Sequence, residues 1–255
     1  MEEVITKNLN ELNHNKSKFI EEIDIYENNF LSKPSSLRFW SSFFVILPIF
    51  VQAPWVRSQP TSALFFTFFI LSVSALLTYK ATNKFFIVGS LLLGVSGSWL
   101  GGSLFWGWLS SHPILHIPVE AVALPLALVG LGSKWKVGSS FYISSLCGTA
   151  ITDITIYITG IMDQWMEVVS ADQDKAPYIL QKTSENLLHI KPLCIIIIFG
   201  GLLWFVSRLI ADYSVATNPN WRALLVASYV LQTTLIVDGI FVLVAIVHPS
   251  FSGLV

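Results

Sequence analysis

Glu120, Asp153 and Asp238 are carboxylates set inside otherwise apolar stretches, and they are the residues in this chain best placed to do chemistry. A charge at the centre of a membrane-crossing helix costs at least about 3 kcal/mol on insertion scales, so it normally faces a partner, a polar cavity or a transported ion. Ser145, Thr149, Asp153 and Tyr157 follow at four-residue steps, which lines one helix face with hydroxyls around a carboxyl group. Thr234 lies one turn before Asp238, and Gly239 permits close helix approach. Asp153, Asp238, Thr149, Tyr157 and Thr234 therefore read as one polar intramembrane site for a cation, a proton or a hydrogen-bonding solute. The competing reading is that each acid ties two helices together through hydroxyl or backbone partners.

A second constellation is the run His112-Pro-Ile-Leu-His116-Ile-Pro-Val-Glu120. Two imidazoles and a carboxylate spaced by four share one helical face, so His112, His116 and Glu120 are candidate ligands for zinc or another divalent metal. Pro118 works against this. It cannot donate to Ile114 and pushes Ile117 toward an extended conformation, so the fourth helix is expected to start at Pro118 with Glu120 in its first turn. Arg57 is then a salt-bridge partner for Glu120. The chain shows no His-Glu-x-x-His motif, thiolate quartet, phosphate loop or nucleophile elbow, which leaves an enzyme the least supported class.

The elements that carry these residues must cross a membrane. Apolar residues make up 53% of the chain and charged residues only 12%, and several apolar runs approach 20 residues, enough to span a hydrocarbon core about 30 Å thick. The expected fold is an all-α polytopic membrane protein: a hydrophilic tail over residues 1–38, then a helical transmembrane domain over 39–250. Seven spans are read at about 39–56, 61–79, 85–108, 119–132, 137–161, 192–210 and 222–247. The fourth has only some 14 residues unless 113–117 extend it. The tail carries seven acids against five bases, and Phe19, Ile20, Ile23, Tyr26 and Phe30 recur in it at helical spacing, so it is either amphipathic or partly disordered. Seven crossings put 11 Lys and Arg on the side of the amino terminus against four on the other, which makes the tail cytoplasmic or stromal and the carboxyl terminus trans. Eight of the nine acids beyond the tail then fall on the trans side or in the trans half of a span.

Small residues sketch the contacts. Ser90, Gly94, Gly97 and Gly101 lie on one face of the third span, where another helix can approach closely. Pro48, Pro54 and Pro125 should bend or break their helices. Trp55, Trp99, Trp106, Trp108, Trp135, Trp165 and Trp221 fall near span ends as interfacial anchors. Cys147 and Cys194 lie at different depths and are expected to pack in apolar surroundings without a disulfide. Met162, Trp165, Met166 and Val169 follow an i, i+3, i+4, i+7 pattern, so a short amphipathic helix should lie along the trans interface within the loop 162–191.

The runs Phe50-Val-Gln-Ala-Pro-Trp-Val-Arg57, Phe105-Trp-Gly-Trp108 through Pro118-Val-Glu-Ala-Val-Ala-Leu-Pro125, and Gly148-Thr-Ala-Ile-Thr-Asp153 resemble an uncharacterised family of cyanobacterial integral membrane proteins, the domain of unknown function 3120. The resemblance spans roughly Phe39 to Pro249. It implies a photosynthetic host and a plasma or thylakoid membrane, and it supplies no activity, cofactor or catalytic residue. Two function classes remain. One is a permease or channel-like protein for a cation or small proton-coupled solute. The other is a non-catalytic assembly or accessory protein of a photosynthetic membrane, acting in a membrane-protein complex or homo-oligomer. Lipid is a partner in either case, and nucleic acid in neither. Pigment or haem ligation is disfavoured because no histidine falls deep within a span.

The charge asymmetry carries a test of topology. Cysteines introduced singly at Ser133 and Ser170 should react with an impermeant thiol reagent from opposite sides of the membrane. Labelling of both from one side would remove the seven-span arrangement.

Overall fold

The computed structural model describes residues 33–79, 83–172, 174–215 and 218–251. Most of the tail, including its helical pattern from Phe19 to Phe30, lies outside the described residues. Among those described there is no strand, and seven helices are long and apolar enough to cross a membrane. These are α1 (Pro34–Ser58), α2 (Pro60–Tyr79), α3 (Phe85–Leu109), α4 (Pro113–Leu131), α5 (Lys136–Thr159), α8 (Ile190–Tyr213) and α9 (Trp221–Val247). Two shorter helices, α6 (Met162–Ser170) and α7 (Ala176–Asn186), occupy the loop between α5 and α8.

The fourth span is the largest departure from expectation. It begins at Pro113, not at Pro118, and reaches 19 residues. A 3₁₀ turn over Pro113–Leu115 leads into an α-helical stretch, His116–Glu120, followed by a second 3₁₀ turn, Ala121–Ala123, and then Leu124–Leu131. Pro118 is tolerated because it is the third residue of that α-helical stretch, where the first-turn N–H groups have no intrahelical acceptor to lose. Glu120 consequently ends the stretch instead of opening it. Pro48 opens a π-helical turn over Pro48–Gln52 inside α1, and a second such turn, unforeseen, widens α3 over Phe105–Leu109.

The first halves of α1, α3, α5 and α9 pack together. Leu37 and Phe44, Ile87 and Leu91, Val137 and Phe141, and Val226 and Val230 form one apolar core. The small-residue face of α3 works as read: a Cβ on Gly94 would stand 2.2 Å from the Gly138 carbonyl oxygen, and one on Gly138 would stand 1.8 Å from that of Ser90. Ser90 Oγ also accepts the Gly138 N–H at 3.0 Å. Gly138 is in the first turn of α5, where that N–H lacks a helical partner, so one helix caps the next.

The second halves of the same four helices line a cavity of about 550 Å³, with α8 along one side. Over it lie α6 and α7. The α6 helix has the expected pattern, with Asp163 and Glu167 exposed. Its apolar face, however, meets protein: Val168 is buried with Leu180 and Ala245, and Trp165 packs edge-on against Phe241 of α9. Gln181 donates to the Ile246 carbonyl at 3.1 Å, which fastens the cap to the end of α9. Gly160, at φ 78°, ends α5 in the left-handed region that glycine adopts without strain and turns the chain into α6.

Other expectations need correction. Trp99 is fully buried and donates its indole N–H to the Ala63 carbonyl at 2.8 Å, so it ties α3 to α2 and is no interfacial anchor. Cys147 and Cys194 are free but exposed on the outside of the bundle, not packed within it. Gly239 has nothing within 4 Å of a Cβ, whereas Gly148 is the residue that lets Thr234 approach α5.

Gly138→Ala should destabilise the protein by about 1–3 kcal/mol or more, because the clash is with backbone that cannot rotate away. Gly201→Ala, with open space around its Cβ, should stay within about 0.5 kcal/mol of the parent. Thermal unfolding of both variants in detergent checks the pair, and equal midpoints would contradict the close α3–α5 contact.

Candidate functional site

His116 stands at the centre of the site. The α-helical stretch from His116 to Glu120 puts these residues one turn apart on the same face, and Nε2 lies 3.3 Å from Glu120 Oε1. Its other ring nitrogen, Nδ1, lies 2.8 Å from Asp153 Oδ2 on α5. The imidazole thus bridges two carboxylates from two helices. It is 12% exposed and lies in the first turn of the fourth span. A neutral imidazole has one N–H and cannot donate to both acids. Two bridging protons must therefore be distributed over the three groups, either as an imidazolium between two carboxylates or as an imidazole beside one protonated acid.

Each partner is held in place by packing. Gly101 of α3 allows the Glu120 backbone so close that a Cβ would be 2.7 Å from its Cα. From the other side the Tyr142 hydroxyl donates to the Glu120 carbonyl and accepts the Ala123 N–H at 3.2 Å, which pins the 3₁₀ break in α4 to α5. The π-helical turn of α3 presents Phe105 and Trp106 to the imidazole. Phe105 stacks on it with ring centroids 4.1 Å apart at 23°, and Trp106 meets it edge-on at 5.7 Å. Trp106, expected as an interfacial anchor, is a wall of the site.

Asp238 lines the same cavity as Asp153 and Glu120. Its partner is a residue that the four-residue stripe passed over: Thr152 Oγ1 lies 2.7 Å from Asp238 Oδ2. Ser145 and Thr149 line the cavity beside Asp153, as does Thr234. Tyr157 does not. It is 73% exposed, since a four-residue step advances about 40° beyond each full turn and the stripe drifts off the cavity face by its last member.

Gln52 is the other residue that the sequence reading missed. The π-helical turn carries it into the bundle, where its amide donates to the Trp99 carbonyl at 2.6 Å and to Ser103 Oγ at 2.8 Å. A glutamine between Pro48 and Pro54 in an apolar span was the available signal.

The remaining candidates fall elsewhere. His112 is exposed and pairs with Ser111 Oγ at 2.9 Å, because the 3₁₀ turn after it breaks the helical register with His116. Arg57 reaches the Ala171 carbonyl at 3.5 Å, beneath the cap, while the ion-pair partner given to Glu120 is His116. Among the described residues, no group of three His, Cys, Asp or Glu side chains is arranged to hold a metal ion. Both nitrogens of His116 face carboxylates, and His112 stands apart from them.

Residues 41–246 match the model of a family described as a protein of unknown function, DUF3120. The chain belongs to the DUF3120 family. The matched region begins in α1 and ends in α9, so it takes in His116, all three intramembrane acids and the cap. No curated protein and no solved structure matches the chain. Family membership therefore brings no activity with it, and function has to be argued from the cavity.

Tyr142→Phe should lower stability by about 1–3 kcal/mol, because the Glu120 carbonyl loses its hydroxyl donor and the Ala123 N–H loses its acceptor while both stay partly buried. Thermal unfolding of the purified variant is the measurement. An unchanged midpoint would show that the break in α4 does not rely on this hydroxyl.

Proposed function

We propose that this chain is a permease or channel-like membrane protein that carries a cation or a small proton-coupled solute through the cavity between α1, α3, α4, α5 and α9. The observation that supports this most is that Asp153, Asp238 and Glu120 all face one cavity instead of being sealed separately between helices. Acids serving only as helix ties need no such space. Among the described residues lining it there is neither lysine nor arginine, and His116 is set there against three acids. A polar recess of that sign in a low-dielectric surrounding raises the local concentration of cations.

The bridging imidazole suggests how loading works. A cation that approaches Asp153 must replace the attraction His116 supplies, or the carboxylate is left uncompensated in a poor dielectric. Binding at Asp153 is then an exchange, with His116 retreating to Glu120 or giving up a proton. With the charge-derived topology, the cavity end of the four helices and its acids face the trans side. An assembly role predicts the reverse of this: acids that matter for stability and not for passage.

In proteoliposomes containing a pH-sensitive dye, wild-type protein should pass protons in response to an imposed cation or solute gradient. Asp153→Asn should cut that flux about tenfold or more, a loss of about 1.4 kcal/mol or more in the barrier, with little change in thermal stability. Equal flux in Asp153→Asn, with Asp153→Leu losing roughly 0.6–2 kcal/mol of stability, would identify the acids as helix ties and support the assembly role.

A further inference from the structure

We infer that the cavity binds a small organic cation, an apolar body carrying a basic nitrogen that seats between Asp153 and Asp238; this assignment rests on the permease reading. Size gives the first argument. A cavity of about 550 Å³ falls within the range of organic-ligand sites, whereas a bare metal ion is held by a tight cage of ligands. The walls give the second. Trp106, Trp165 and Phe241 line the cavity and are only partly buried, and aromatic rings in a cavity with carboxylates suit a cation with an apolar body better than a strongly hydrated ion or a sugar.

The hydrogen-bond inventory gives the third argument and sets the ligand's polarity. Thr149 donates its hydroxyl hydrogen to the Ser145 carbonyl, and Thr234 donates to that of Val230. Their remaining capacity toward the cavity is oxygen lone pairs. Gln52, 5% exposed, uses its amide hydrogens on Trp99 and Ser103, and its Oε1 receives no hydrogen bond from any described residue. Thr152 has one hydrogen and two acceptors within reach, the Gly148 carbonyl at 3.1 Å, which already takes a helical N–H, and Asp238 at 2.7 Å, so the hydroxyl is available to the carboxylate. This part of the lining thus turns acceptors inward, beside the three acids. A protonated amine, which has donors and no acceptor, complements it, and an organic anion does not.

The test uses full-length protein purified in detergent and a graded panel of ethylammonium, phenylethylammonium and tetrabutylammonium, measured by equilibrium dialysis against protein-free micelles. At least one member should bind saturably. Phenylpropionate should not compete, and Asp153→Asn and Asp238→Asn should each weaken binding about tenfold or more. Asp153→Glu, which keeps the charge, should retain most of it and so separates charge loss from misfolding. The inference is overturned if no panel member binds above the micelle background, if phenylpropionate binds as well, or if both Asn variants bind like wild type. Rubidium and sodium flux in proteoliposomes separates the two levels. Asp153-dependent flux of these ions without amine binding overturns the organic-cation assignment and leaves the permease reading standing. Charge-dependent amine binding without any flux upholds the assignment and removes the permease.

Discussion

Two carboxylates reach one imidazole from separate helices, and the rest of the site depends on that bridge. Neither Glu120 nor Asp153 could face an apolar interior alone at acceptable cost, and His116 compensates both at 3.3 Å and 2.8 Å. To keep His116 there, α4 must hold one α-helical turn between two 3₁₀ turns, and α3 must widen so that Phe105 covers the ring face. The irregular backbone of the protein is gathered where charge has to be managed. Non-helical backbone at membrane depth is tolerated only against protein or a wet cavity, and these breaks meet that condition.

The bundle divides its labour along its length. At one end, glycines let α3 and α5 close on each other and Leu, Phe and Val side chains of α1, α3, α5 and α9 fill the core; at the other end the same helices line the cavity. The cap formed by α6 and α7 then covers a space that the spans alone leave open. Its binding to α9 through Leu180, Ala245 and Gln181 makes it part of the same body and not a loose loop.

Much of this was legible in the residues. Span number and the small-residue face of α3 followed from composition and spacing, because hydrophobic length and absent side chains act locally. The three acids were picked out by the cost of burying them, and they do share one cavity. What escaped was set by geometry that no periodicity encodes. Pro118 looked like a helix start, and its tolerance depends on the 3₁₀ turn before it. Thr152 lies off the four-residue stripe that led to Thr149 and Tyr157, yet it is the one that meets Asp238, since real helices turn in 3.6 residues and not four. Gln52 and Trp106 were hidden because π-helical turns rotate them away from the faces an unbroken helix would give them.

The contact between Gly94, Gly138 and Ser90 has a consequence well beyond its own packing. Only a glycine fits where α5 crosses Ser90, and its neighbours Val137 and Ser139 do not. Sliding α5 by a single residue, about 1.5 Å, would drive a side chain into backbone and uncap the helix at once. The crossing acts as a key in a slot, setting the height of α5 against α3. Asp153 stands fifteen residues further along, about 22 Å away, and its level relative to Gln52 and Gly101 is fixed by a notch at the far end of the rod.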